Sequence, residues 1–152
     1  MLMMNKKMAK EMQNLGWDGK VLPSPLSELL TPGFCKREGC TFLVSLAEGD
    51  TNVSACDFPD KTGYECFINS VHVDDYVQCD YVAYACLFAE ALLSTWRHSG
   101  ARDIAQAIIS SDEFGAVVKF HVARSGESWV NEELEKYEQA LLVADSSLTS
   151  LH

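Results

Sequence analysis

No apolar run in the 152-residue chain approaches the roughly 18 residues that a membrane helix needs, which excludes a helical span. Glycine is scattered: Gly39, Gly49 and Gly63 stand singly in turn-like text, and Gly115 precedes a strand-like run. None opens a helix, so no phosphate-cradling loop is present. Basic side chains are the scarcer sign, 12 against 22 acidic, for a net charge of -10. A nucleic-acid backbone would be repelled, and Trp17, Trp96 and Trp129 do not form a base-stacking platform with basic neighbours. No Asp-x-Asp-x-Asp-Gly calcium loop occurs. Lys6, Lys7 and Lys10 are not followed by the apolar stretch of a signal peptide, so the expected location is the cytoplasm. There Cys35, Cys40, Cys56, Cys66, Cys79 and Cys86 would be reduced thiols rather than a disulfide set.

The hydrophobic content of 47% is sufficient for one core, and the expected organisation is a single domain over residues 1–152. Met4, Met8, Met12 and Leu15 share one helical face, which predicts an amphipathic helix over 1–16 that must dock on the domain or on a partner. Thr41–Ala47, Asn52–Phe58 and Tyr64–Val73 read as a three-strand meander, turned at Glu48–Thr51 and Pro59–Gly63. Asp80–His98 is apolar nearly all round and predicts a buried helix capped by Asp80. Asp103–Ile109 fits both a helical and a strand period. A hairpin is expected, because the turn-like Ser110–Glu113 leads into the strong strand run Val117–Val122. Val130, Leu134, Tyr137, Leu141 and Ala144 repeat every three or four residues and predict a final helix, with a frayed tail over 146–152. The expected fold is α+β, an antiparallel sheet of meander plus hairpin covered by helices, in the order α-β-β-β-α-β-β-α.

Two constellations could carry chemistry. Cys35 and Cys40 bracket a glycine turn and could hold zinc with Cys56 and Cys66, but the spacing departs from matched zinc knuckles, and buried thiols are the simpler reading. A cysteine nucleophile would need His72, His98 or His121 as base, and no nucleophile turn precedes any cysteine. Neither a catalytic residue, a metal ligand nor a cofactor is therefore expected.

Charge is the more informative pattern. Residues 1–43 carry 6 basic and 4 acidic groups, residues 44–80 carry 1 and 8, and residues 81–152 carry 5 and 10. The acidic middle points to a surface that steers onto a basic protein partner. Asp74, Asp75 and Tyr76, with Asp80 nearby, are the first candidates for that contact, since the tyrosine adds an apolar anchor. Asp57, Asp60 and Glu65 are the second. A homodimer is compatible with the same pattern.

In size, acidity and the carboxylate-rich stretch Asp57–Asp80, the chain resembles toxin-neutralising immunity proteins of contact-dependent inhibition and related systems. That resemblance implies occlusion of a cognate toxin domain, often a basic nuclease. The expected element order over residues 3–144 is also similar to that of type III secretion chaperones, which would imply an acidic homodimer wrapping an effector segment.

Overall fold

The structure is a computed structural model that describes residues 1–49 and 52–151. Its centre is a five-stranded, wholly antiparallel sheet in the order β1-β7-β5-β6-β4, formed by β1 (Leu2–Met4), β4 (Ser70–His72), β5 (Ala105–Asp112), β6 (Gly115–Val122) and β7 (Ala140–Asp145). A separate two-stranded hairpin pairs β2 (Phe34–Arg37) with β3 (Cys40–Leu43). The helices are α1 (Lys6–Gln13), the short α2 (Ser24–Ser27) and α3 (Val44–Ala47), α4 (Lys61–Ile68) and the long α5 (Tyr81–His98). The chain is an α+β fold.

Strand alternation gives the main sheet two packed faces, and a third cluster of Cys40, Phe42, Ala47, Tyr64 and Ile68 lies between the small hairpin and α4. Ala107 and Ile109 of β5, Val118 and Phe120 of β6, and Leu142 and Ala144 of β7 face α5, where Phe88, Leu92 and Trp96 complete the main core. Ile108, Leu141 and Val143 face the other way, onto Cys66 of α4 and Leu134 of the irregular segment 123–139. With both faces covered, β7 is buried from Ala140 to Ala144 without a polar break.

That burial explains the largest correction. The predicted final helix is absent, and residues 128–144 form loop, a 3-10 turn at Leu134–Lys136, and β7. Val130, Leu134, Tyr137 and Leu141 do pack into one cluster, so the apolar spacing identified a shared face but not the backbone that carries it. The meander is also replaced. Thr41–Leu43 is strand, but Val44–Ala47 is helical, and Ala55–Asp57 forms a 3-10 turn. Asp50 and Thr51, part of the expected first turn, lie outside the described residues. The first half of Tyr64–Val73, through Ile68, is helix α4, started by Asp60, whose carboxylate accepts the Gly63 N–H at 2.7 Å, and only Ser70–His72 is strand. Burial of residues 62–66 overrides their strand propensity.

At the N-terminus Leu2–Met4 is an edge strand on β7, and helix begins only at Lys6. Met8 is nevertheless fully buried and Met12 touches Cys86 (3.7 Å), so the methionine face docks on the chain's own core. The tail expected to fray instead returns: Ser146 and Leu151 are buried, and the Leu151 N–H donates to Glu90. No helix among the described residues is long and apolar enough to cross a membrane.

Candidate functional site

The first-choice residues gather at one end of the sheet. Asp74 and Asp75 belong to a 3-10 turn over Val73–Asp75 that directly follows β4. Because His72 lies opposite Val117 in an antiparallel pair, this turn comes alongside Gly115 at the start of β6. A Cβ at Gly115 would overlap the Asp74 side chain, so the approach requires glycine there.

The β5–β6 hairpin turns at the same place. Asp112 accepts the N–H groups of Phe114 (2.8 Å) and Gly115 (3.2 Å), an Asx-type turn that holds the Phe114 ring outward, 77% exposed. Glu113 is exposed beside it, and Tyr76 is 38% exposed. A groove of about 150 Å³ lined by His72, Asp74, Asp112 and Phe114 joins the two turns. A second groove of about 320 Å³ brings Asp80 and Glu11 to the other side of Asp112. The result is an acidic end containing two exposed aromatic rings. Sequence reasoning marks 110–113 only as a turn and passes over Asp112, Glu113 and Phe114. The available signal was a large aromatic placed in a turn directly after two carboxylates.

Asp80 sits at the N-terminus of α5 in a left-handed conformation (φ 55°), but its carboxylate accepts no helix N–H. It pairs with Lys20 at 3.4 Å, so the expected side-chain cap is not formed.

The second-choice residues lie elsewhere. Asp57 closes a capping box with Ser54, accepting its N–H at 2.8 Å, and Asp60 caps α4. These residues belong to the end of the sheet marked by Arg124, about 24 Å from Gly115 along the eight residues of β6. Glu65 is fully buried and therefore offers no surface to a partner. It accepts Arg124 at 2.7 and 2.8 Å, the Thr41 N–H at 2.6 Å and the Val122 N–H at 2.9 Å. One turn along α4, Asn69 accepts the Leu43 N–H and donates to the carbonyls of Thr41 and Phe120. Glu65 and Asn69 thus tie β3 of the small hairpin to β6 of the main sheet.

The cysteines do not converge. Cys40, Cys66 and Cys86 are buried while Cys56 and Cys79 are exposed, so Cys79 is not the core residue its helical spacing with Cys86 implies. Among the described residues no three histidine, cysteine or acidic side chains are grouped for a metal, and no cysteine hydrogen-bonds a histidine. Burial pushes the thiols of Cys66 and Cys86 up to about 12, the reverse of nucleophile activation. His121 is buried; desolvation holds it below the ordinary histidine range, against the opposing effect of its Nδ1 contact with the Val122 carbonyl at 2.9 Å.

A concavity of about 1000 Å³ opens at the C-terminal end of α5 beside the β2–β3 hairpin. Lys36, Arg102 and Arg124 line it against a single carboxylate, Asp103, so basic groups outnumber acidic ones here, the reverse of the acidic end. Its anchoring groups are already engaged: Arg124 by Glu65, and the Trp96 indole N–H by the Asp103 carbonyl at 2.8 Å.

A model of the Uncharacterized protein PM0498 family matches residues 3–151. The chain belongs to that family. The Uncharacterized protein PM0498 of Pasteurella multocida (strain Pm70) is 29% identical over 153 residues, an alignment covering 93% of this chain and 94% of the relative. No solved structure matches the chain. The family match runs from β1 to the buried Leu151, so it includes both turns of the acidic end.

Proposed function

We propose that the protein is a non-enzymatic binding module that neutralises a basic partner, most simply as an immunity protein occluding a cognate toxin domain. The observation that carries this reading is the juxtaposition of Asp74, Asp75, Asp112 and Glu113 with the exposed rings of Tyr76 and Phe114. Carboxylates at such a rim steer a basic surface into encounter, and a projecting aromatic supplies the desolvated anchor that holds it. The type III secretion chaperone reading is the less favoured: the element order that prompted it is not the one formed. The cysteine-enzyme reading is disfavoured because, among the described residues, no cysteine, buried or exposed, hydrogen-bonds a histidine base.

The test is capture at low salt by the wild-type chain and by a triple variant, Asp75→Lys, Glu113→Lys and Phe114→Ala. The reading predicts that the wild type retains a basic protein that the variant loses. A partner retained equally by both, or one of acidic character, contradicts it.

A further inference from the structure

The outer face of the sheet carries a cavity of about 340 Å³, floored by Ile108, Val117 and Leu141 and walled by Trp129 and Tyr137. Lys119 stands in it. Alternation along β6 sends Val118 and Phe120 to the α5 core and Lys119 to the opposite face, where segment 123–139 covers it. Its Nζ donates to the Cys66 carbonyl (3.4 Å) and the Ser70 hydroxyl (3.1 Å), and lies 5.3 Å from the centroid of the Trp129 ring. All of these partners are neutral. Among the described residues no carboxylate comes within ion-pair distance of Lys119, in a chain where acids outnumber bases 22 to 12.

Removing an ammonium from water without an opposing charge is costly, and burial correspondingly holds Lys119 below the ordinary lysine range. An anion entering the cavity would offset that cost. Asp74 and Asp112 line the adjoining groove and not this one. One cation matches a monoanion better than a phosphate dianion. The aromatic and aliphatic walls match an apolar body, and the volume lies at the small end of the range for ligand sites.

We infer that this cavity binds a small carboxylic acid with a compact apolar or aromatic body, its carboxylate paired with Lys119 and its body held against Trp129. The Tyr137 hydroxyl accepts the Asn131 N–H at 2.9 Å and keeps its own proton to donate to the same ligand. This site adjoins the acidic end, sharing His72 and Ser110 with its groove, but does not depend on the function proposed for it.

The test is NMR of the lysine side chains during titration with benzoate, 3-phenylpropanoate and 3-methylbutanoate, each to roughly 10 mM, a range that detects millimolar affinity. Binding of at least one acid should shift the Lys119 signal and raise its apparent pKa. The matching amide should bind about tenfold or more weakly, and Lys119→Met should lose a similar factor. Trp129→Ala should weaken the aromatic acids more than the branched one. The inference is overturned if no acid moves the Lys119 signal, if acid and amide bind alike, or if Lys119→Met binds as the wild type does. Should Lys119→Met fail to fold, the acid and amide comparison on the wild-type chain still decides.

Discussion

Glu65 and Arg124 form a two-point ion pair, at 2.7 and 2.8 Å, between α4 and the segment leaving β6. The same carboxylate accepts backbone N–H groups from β3 and from β6, so one fully buried side chain joins three elements. Replacing Glu65 by Gln leaves the Arg124 charge largely enclosed without its partner. The expected loss is about 3 kcal/mol, read from urea unfolding with an unchanged m-value. A loss below about 1 kcal/mol would show that the pair is not a main support of the junction.

His121 makes stability depend on pH in a definite direction. Its native pKa is depressed, chiefly by burial, with Glu65, Arg124 and Asp60 as charged neighbours, and among the described residues its Nε2 has no hydrogen-bond partner. Between the depressed native value and the unfolded value near 6.5, the unfolded chain binds the extra proton. Stability is therefore fully present above about pH 6.5 and falls as pH is lowered through that window. The contribution of His121 is at most about 1.4 kcal/mol per pH unit. In His121→Asn the slope below about pH 6.5 should shrink. An unchanged slope would assign the acid sensitivity to other groups.

Gly115 and Asp74 should be energetically coupled. Gly115→Ala forces a methyl group into the Asp74 side chain and should cost about 1–3 kcal/mol. Part of that penalty should disappear in an Asp74→Ala background, which removes the overlapping carboxylate but keeps the Cβ at 2.7 Å, giving a coupling of about 0.5 kcal/mol or more in a double-mutant cycle. Additive effects would mean that the two turns do not share their packing. Because Asp74 has this structural role, substitutions at Asp75, Glu113 and Phe114 probe binding more cleanly.

Thiol reactivity should divide by exposure. In the native protein Cys56 and Cys79 should be alkylated first, and Cys66 and Cys86 only on unfolding, as their raised pKa values require. Mass spectrometry of peptides after a short alkylation pulse reads this directly. Rapid labelling of Cys66 in the folded chain would revive a nucleophilic role for it.

The parts legible in the sequence were those where local pattern and tertiary demand agree. Helix α5 follows from a long apolar run with basic residues at its end, and the β5–β6 hairpin from β-branched runs about a turn. The ambiguous Asp103–Ile109 resolves as strand from Ala105 because β7 pairs along its other edge, a long-range contact no local period reports. Tyr64–Ile68 and residues 130–144 depart from their local pattern for the same reason: both are buried by distant elements that override their period or propensity. Asp74, Asp75 and Tyr76 could be singled out from charge and residue type. Their companions Asp112, Glu113 and Phe114 lie nearly forty residues along the chain and join them only through β4–β6 pairing. Glu65 reads locally as a surface acid but is an internal brace, because its partner Arg124 is 59 residues away.

The most direct test of the central claim is hydrogen exchange of the chain with and without its captured basic partner. Added protection is predicted at residues 74–77 and 111–115, the two turns of the acidic end, with no change at Lys36 or Arg102 around the cleft at the far end of α5. Protection confined to that cleft, with the acidic end exchanging as in the free protein, would contradict the account.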